Sequence, residues 1–243
     1  MDVSFPWDPL HYPFEVPPYS FVWSVGRVEP VAPTGAVDAH SWGRHPVLAI
    51  GSNASPGQLT RKFGAGQFAD PASPDGVIPV LTAVARGVDV VYGAHLAPYG
   101  SLPATLLDTP GASARVFVTW LTPRQRRRMD ETEDLGHSYQ LRSMSDVHCH
   151  GEKLDSALSY VTTAGACVLG GTPLGLAAVD APGSPRPRAT QRQAWNRLSQ
   201  DMGGDGDGPA LLQNVLASPA WRERVESHLA VNRLEEAHTP VAS

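Results

Sequence analysis

A glutamate at the end of a short predicted helix is the residue best placed for proton transfer. Thr122 is a good N-cap, Pro123 suits the first helical position, and Gln125 completes a Thr-x-x-Gln capping box. Gln125, Met129 and Glu133 repeat every four residues, so they share one face of a helix that should end at about Glu133. If Met129 faces the core, Glu133 points inward, where burial and the helix dipole favour its protonated form. Such a carboxyl group can hold and release a proton, although the helix alone leaves open that Glu133 is a surface residue.

A short loop between a predicted strand and a predicted helix is the second feature that can contact a ligand. The apolar run 47–50 indicates a buried strand ending at Ile50, and Ser55-Pro56 followed by apolar residues at i, i+4 spacing indicates a capped helix. The loop between them is Gly51-Ser52-Asn53. Because Gly51 has no Cβ, it lets the backbone approach a ligand closely. The alternative is an Asx or hydroxyl turn that only connects the strand to the helix.

The elements around these two features are mainly strands in the middle of the chain and helices toward its end. Residues with β-branched and aromatic side chains between Gly, Pro and Asp breaks predict strands at 88–92, 105–107, 115–121, 139–144 and 157–162. Helices are predicted at 190–202, 209–216 and 219–229. The glycine-rich stretch 203–208 is expected to be a flexible linker.

Residues 1–45 are distinguished by their prolines, which exclude a helix and favour extended or polyproline-like backbone. Aromatic residues are interleaved with these prolines: Phe5, Trp7, Tyr12, Phe14, Tyr19, Phe21 and Trp23. A solvated tail would not normally expose so much aromatic surface, so we expect the segment to drape over the body or to cover a partner. The sequence thus divides into this segment, a domain at 46–184 and a helical C-terminal extension at 185–243.

Several short motifs occur in an order that points to one family. Ile50-Gly51-Ser52-Asn53 is followed by Gly-Ser-Leu-Pro-Ala-Thr-Leu at 100–106, Thr-Pro-Gly at 109–111, Met-Asp-Glu-Thr-Glu at 129–133, and Tyr139. This order resembles the γ-glutamylcyclotransferase-like family, whose members show a Tyr-Gly-Ser-Asn loop, a Gly-x-x-Ala-Thr strand, a Ser-Pro-Gly turn and a Leu-Asp-x-x-Glu helix end with a Tyr shortly after. The resemblance covers residues 46–145.

The resemblance implies an α+β fold, namely a small mixed β-barrel with flanking helices and a cavity at one barrel end. In family members the substrate's α-amino group attacks its own γ-amide carbonyl, which closes 5-oxoproline and expels an amine. The nucleophile belongs to the substrate, so no Ser-His-Asp set, reactive cysteine, metal or other cofactor is expected.

The resemblance also implies roles for individual residues. Glu133 would be the catalytic acid/base. The substrate-binding residues would be Ile50, Gly51, Ser52, Asn53, Ala54 and Tyr139. N–H groups at 51–54 would fix the glutamyl carboxylate or stabilise developing negative charge. The Tyr139 hydroxyl would contact the substrate or Glu133, and the alternative is a packed strand aromatic.

Two residues depart from the family pattern. Ile50 stands where the family usually has Tyr, which removes a hydroxyl from the cavity edge and directs the expectation to a different amide or γ-glutamyl amine. Asp134 stands where Gly often follows the glutamate, and would add a like charge beside Glu133 if the two are close. Two other functions stay open: a barrel that binds a small molecule or a protein without catalysis, and a small-amide hydrolase that uses water in the same cavity.

Charge and composition argue against other classes of partner. The formal net charge of -5 provides no basic footprint for nucleic acid or an anionic membrane. We find no apolar run of the roughly 18 to 20 residues that span a bilayer and no secretory signal, so we expect a cytoplasmic protein with a small-molecule amide substrate. A homo-oligomer through the N-terminal segment is left open. His148-Cys149-His150 would place two histidines on one strand face, too few ligands for zinc.

Overall fold

The computed structural model describes residues 8–31 and 43–235 of the chain, so Phe5 and Trp7 lie outside the described residues. In this part of the chain the strands are β1 Phe21–Ser24, β2 Arg27–Pro30, β3 His45–Ala49, β4 Val77–Tyr92, β5 Ala104–Leu121, β6 Tyr139–Met144, β7 Val147–Cys149, β8 Glu152–Lys153, β9 Ala157–Thr162, β10 Ala166–Leu169, β11 Thr172–Pro173, β12 Gly175–Leu176, β13 Arg188–Ala189 and β14 Arg233–Leu234. The α-helices are α1 Pro56–Phe63, α2 Pro123–Thr132, α3 Gln191–Asp201, α4 Gly208–Ala217 and α5 Pro219–Val231. Within the described ranges, no helix combines the length and the apolar character that a membrane crossing requires.

A large mixed sheet carries the architecture, and the helices pack around it. The main path of the sheet is β13-β12-β4-β5-β3-β9-β6, and β1 and β7 also pair with β4. Most of these pairs are antiparallel, whereas β3 with β9 and β12 with β13 are parallel. The chain is therefore a mixed α+β protein. In the described residues β13 and β6, at the two ends of the path, are not paired with each other, so closure into a barrel stays a prediction.

The two longest strands, β4 and β5, form one antiparallel hairpin with a break in its middle. Their register shifts between Arg86 and Val88, opposite residues 109–112 of β5. Gly87 lies at this break with φ of 75°, a conformation that glycine adopts without a Cβ clash. The strands predicted at 88–92, 105–107 and 115–121 are thus parts of two long strands. The Thr-Pro-Gly motif at 109–111 is an irregularity inside β5 and not a turn between separate strands.

The N-terminal segment covers the body of the molecule, as expected from its aromatic residues. β1 pairs with β4, and the side chains of Phe21 and Trp23 are buried. Trp23 packs against Phe63 of α1 with ring centroids 6.3 Å apart. The hairpin of β1 with β2 and a 3-10 turn at Pro9–His11 depart from the extended backbone that the prolines predict.

The C-terminal helices pack on the same core as the sheet. Trp195 and Leu198 of α3 are buried together with Tyr12 and Leu48 in one hydrophobic cluster. The helices agree with those predicted, within two residues at each end. The stretch 203–208 between α3 and α4 contains turn hydrogen bonds, and Asp207 caps α4. The division of the chain at 45/46 and 184/185 stays a prediction.

Two local structures place the candidate site. β3 ends at Ala49, and the chain passes through Ile50 and Gly51 into a 3-10 turn, Ser52–Ala54, and then α1. Ser55 is the N-cap of α1 as predicted, but its side chain makes no capping hydrogen bond. α2 ends at Thr132, so that Glu133 is its C-cap residue.

Candidate functional site

A cavity of about 330 Å³ lies where the loop after β3 meets the end of α2. Its wall is formed by that loop, α1, residues 95–99, the start of β6 and Tyr12 of the N-terminal segment. Six of the seven residues predicted for the site line it: Ile50, Gly51, Ser52, Asn53, Glu133 and Tyr139. Ala54 is not among the lining residues. It is buried in a hydrophobic cluster with Leu59 and Phe63.

Glu133 faces this cavity because the helix that carries it is anchored from the other end. The capping box of Thr122 and Gln125 forms with both of its hydrogen bonds, and Met129 is fully buried. One turn beyond Met129, the Glu133 side chain is only 13% exposed. Its Oε1 accepts a hydrogen bond of 3.1 Å from Asn53 Nδ2. The prediction that this carboxyl group points inward beside the loop after β3 agrees with the structure, and its catalytic role stays a prediction.

Lys62 is a functional group of this site that the sequence reasoning misses. Its Nζ donates to Glu133 Oε1, and also to Asn53 Oδ1 at 2.8 Å and Met129 Sδ at 3.2 Å. The side chain is 2% exposed. Burial lowers the pKa of Lys62, and the nearby Glu133 carboxylate opposes that shift. Glu133 therefore has a cationic partner inside the protein. The available signal was compositional, since Lys62 is one of only two lysines in the chain.

Tyr12 is the second group that the sequence reasoning does not place in the site. Its phenolic oxygen accepts the Ala104 N–H at 2.9 Å and the backbone N–H of Ser52. A Cβ added to Gly51 would lie 2.1 Å from the same oxygen. The close backbone approach that Gly51 permits is thus used by Tyr12. The Ser52 N–H that was expected to face a substrate is directed to Tyr12 instead.

His95 and two further tyrosines complete the polar wall of the cavity. His95 Nδ1 lies 2.9 Å from Thr162 Oγ1, and its ring meets Tyr139 edge-on with centroids 5.3 Å apart. Burial lowers the pKa of His95 to about 4, so its imidazole is neutral at pH 7. Burial, with Glu133 adding to it, raises the pKa of Tyr139 well above its usual value. Burial also raises the pKa of Tyr99 to about 12, so both phenols stay protonated.

Asp134 lies at the edge of the cavity in a backbone conformation that glycine usually takes. Its φ is 52°, in the left-handed region where Asp and Asn are tolerated better than most other residues. The side chain is largely exposed, and its Oδ2 accepts a hydrogen bond of 2.7 Å from Ser138 Oγ. This conformation is a physical reason for a glycine at this position. His137, considered as a neighbour of the site, is exposed and lies 3.5 Å from Asp134.

The His148-Cys149-His150 motif is divided between separate contacts. β7 ends at Cys149, and His150 has left-handed φ of 50°. His148 Nε2 lies 3.0 Å from Asp146 Oδ1, whereas His150 Nε2 lies 2.6 Å from Ser20 Oγ. Across residues 8–31 and 43–235, no group of three or more His, Cys, Asp or Glu side chains is arranged to hold a metal ion. The cysteines are free and buried.

No protein-family model and no curated protein matches the sequence. One similar solved structure is titled "Gamma-glutamyl cyclotransferase"; the identity is 13% and the TM-score 0.41, over 76% of this chain and 99% of the other. An uncharacterized protein from Homo sapiens has 13% identity and a TM-score of 0.42 over the same shares. YkqA from Bacillus subtilis has 13% identity and a TM-score of 0.33 over 81% of this chain and 58% of its own. These neighbours include the family that the motifs resemble, but at such TM-scores the likeness carries no argument about activity.

Proposed function

We propose that this chain is a γ-glutamylcyclotransferase-like enzyme. It would release an amine from a γ-glutamyl amide or a related small amide and form 5-oxoproline, with Glu133 as general acid/base. The observation that carries the proposal is the shielded Glu133 carboxylate, which faces a cavity shared with the Gly51-Ser52-Asn53 loop. A volume of about 330 Å³ lies at the small end of the range for ligand sites and suits a substrate of amino-acid size.

The two oxygens of Glu133 have different surroundings, which assigns a role to each. Oε1 receives the hydrogen bonds from Asn53 and Lys62. In the described part of the chain, no hydrogen bond to Oε2 is found. We therefore assign proton transfer to Oε2, since it has a free lone pair to take up a proton, while Oε1 fixes the orientation of the carboxylate.

The proposed reaction balances without an added nucleophile. Glu133 Oε2 takes a proton from the substrate's α-ammonium, and the resulting amine attacks the γ-amide carbonyl to form a new C–N bond. The tetrahedral intermediate then collapses, the original amide C–N bond breaks, and Glu133 returns the proton to the leaving nitrogen. The products are 5-oxoproline and a free amine. The chain supplies one carboxylate and a cavity that restricts water.

Lys62 and the protonated phenols would act on the geometry of this reaction. The Lys62 ammonium neutralises Glu133 inside the protein and holds Oε1 in place. The neutral His95 ring and the Tyr139 phenol add polar contacts without adding charge. Such contacts orient a bound amide toward Oε2, and orientation of this kind lowers the entropic part of the barrier.

The proposal is tested by incubating the purified chain with a panel of γ-glutamyl amines, γ-glutamyl amino acids and other small amides. The formation of 5-oxoproline and of free amine is followed by mass spectrometry. In Glu133→Gln the side chain can still accept from Lys62 but cannot exchange a proton, so turnover should fall about 100-fold or more. Glu131→Gln, on the same helix with a side chain 67% exposed, is the matched control and should keep normal turnover.

The products distinguish the proposal from its two alternatives. Open-chain acid in place of 5-oxoproline would indicate the amide hydrolase. Binding of panel compounds without bond cleavage would indicate the non-catalytic protein. Undiminished turnover in Glu133→Gln would exclude the proposed role of the carboxylate.

A further inference from the structure

We infer that Tyr12 belongs to the substrate site and that its phenolic O–H donates a hydrogen bond to the oxygen of the reacting carbonyl. This inference rests on the proposed function and adds a residue that lies outside the motif-bearing part of the sequence. Tyr12 is part of the N-terminal segment, yet it lines the same cavity as Glu133.

The hydrogen bonds of the phenolic oxygen fix the direction in which it can act. A phenol has two acceptor positions and one hydrogen to donate. The N–H groups of Ser52 and Ala104 both donate to this oxygen and occupy its acceptor positions. The single hydrogen is then left to point away from both N–H groups and can be donated to a ligand. Burial raises the pKa of Tyr12 far above its usual value, so the hydroxyl stays protonated.

Two backbone N–H groups aimed at one oxygen are a common means of stabilising negative charge. In this chain they meet the phenol, which can pass their polarity into the cavity because hydrogen bonds in a chain polarise one another. An oxygen bound at the phenol's hydrogen would therefore experience a donor strengthened by Ser52 and Ala104. Ile50, beside Gly51 in the same wall, contributes no hydroxyl of its own.

The phenol is held rigidly enough to act as a preorganised donor. Its ring packs edge-on against Phe14, with ring centroids 5.9 Å apart, and the side chain is 7% exposed. Gly51 presses close to the hydroxyl from one side. The preceding turn is tied to the body by a 3.1 Å hydrogen bond from Ser101 Oγ to the Pro9 carbonyl. A donor fixed in this way needs little reorganisation when charge develops on the substrate oxygen.

The test compares wild type with Tyr12→Phe, which keeps the ring and removes only the hydroxyl. Tyr19→Phe is the matched control, because Tyr19 lies in the same segment with an exposed ring that does not line the cavity. For the amide that the wild type converts fastest, kcat should fall about 100-fold in Tyr12→Phe, with a much smaller change in KM. Binding of 5-oxoproline, measured by calorimetry, should weaken about 10-fold. Tyr19→Phe should match wild type in both measurements.

Other outcomes separate this inference from the proposed function. Turnover that requires Glu133 but is unchanged in Tyr12→Phe would overturn the Tyr12 role alone. Faster turnover in Tyr12→Phe would also overturn it, because the phenol would then be occupying the substrate's position. A wild type that converts no panel compound would overturn the proposed function and this inference with it.

A measurement on the wild type covers the case in which Tyr12→Phe does not fold. The chain is labelled with ¹⁵N and with ¹³C in its tyrosine rings, and 5-oxoproline is added. The amide signals of Ser52 and Ala104 and the ring signal of Tyr12 should shift together with that of Asn53. A shift at Asn53 without any shift at the other three residues would overturn the inference.

Discussion

Lys62 and Glu133 form an ion pair in the interior of the candidate site, between the middle of one helix and the end of another. The Lys62 side chain is 2% exposed and that of Glu133 13%. Asn53 contacts both partners, since its amide nitrogen donates to Glu133 and its oxygen accepts from Lys62. The three side chains thus form one closed polar group, in which each member satisfies the others.

The first prediction concerns the stability of this pair. Lys62→Met leaves the Glu133 carboxylate without its cation, so the free energy of unfolding should fall by about 3 to 5 kcal/mol. In the double variant with Glu133→Gln no uncompensated charge remains, and the loss should be smaller than the sum of the two single losses. Urea unfolding followed by circular dichroism measures both quantities.

Lys153→Met is the control for this cycle, because Lys153 is the other lysine of the chain and its side chain is exposed. Its effect should stay within about 0.5 kcal/mol. Additive losses in the Lys62 and Glu133 variants would contradict a direct electrostatic coupling between the two side chains.

The second prediction concerns Asn53 as a positioning residue. Asn53→Ala removes the amide that fixes Glu133 Oε1 at 3.1 Å, while the carboxylate and Lys62 remain. A small misplacement of a reacting group can cost about 100-fold, so kcat should fall about 10- to 100-fold and KM should change much less. Steady-state kinetics on the best panel substrate gives the two constants separately. Asn214→Ala, at an exposed position of α4, should have normal kinetics, and an unchanged kcat in Asn53→Ala would remove Asn53 from the catalytic group.

The third prediction concerns the contact of Gly51 with Tyr12. Gly51→Ala would place a Cβ 2.1 Å from the phenolic oxygen, so Tyr12 or the loop must move, at a cost of about 1 to 3 kcal/mol. Once Tyr12→Phe removes that oxygen, the nearest atoms to the Cβ are Tyr12 Cζ and Ala104 Cβ, both at 3.1 Å. Gly51→Ala should therefore cost less in the Tyr12→Phe background than in wild type. Thermal unfolding of the four proteins measures this, and equal costs in both backgrounds would show that the steric contact is absent in solution.

The parts of the fold that the sequence predicts well depend on local signals. α2 begins after Thr122 because its capping box is complete within four residues, and β6 and β9 match the predicted strands. Local patterns also place Glu133 at the end of a helix with Met129 facing inward. By contrast, β4 and β5 each continue through a Gly or Pro-Gly break, because pairing along a long hairpin outweighs a local irregularity.

Lys62, Tyr12 and His95 could not be predicted as site residues, since tertiary packing alone brings them to Glu133. The Tyr12 hydroxyl meets the Ala104 N–H across 92 residues of chain. His95 reaches Thr162 Oγ1 across 67 residues. Lys62 follows the buried Leu59 at a spacing of three, which is a helix-face signal, but a lysine on an otherwise apolar face gives no indication of its partner. Proline-rich sequence around Tyr12 gives no periodicity from which its inward orientation could be deduced.

The last prediction concerns acid stability and follows from His95. Burial lowers the pKa of His95 from 6.5 to about 4, with the Glu133 carboxylate acting in the opposite direction and Arg222 adding to the lowering. Between pH 4 and pH 6.5 the unfolded chain therefore binds a proton at this position that the folded protein does not bind. Stability from this group rises with pH through that window, is complete above pH 6.5, and is lost as the pH falls toward 4.

The difference between the two pKa values corresponds to at most about 3 kcal/mol. In His95→Gln the free energy of unfolding should decrease less steeply between pH 6.5 and pH 4 than in wild type, by up to that amount. Urea unfolding at half-unit steps of pH measures it, and other titrating groups cancel because they are common to both proteins. His137→Gln, with an exposed side chain, should follow the wild-type curve. If the His95→Gln and wild-type curves run parallel, the imidazole is as accessible to protons in the folded protein as in the unfolded chain, and His95 does not form a neutral wall of the cavity.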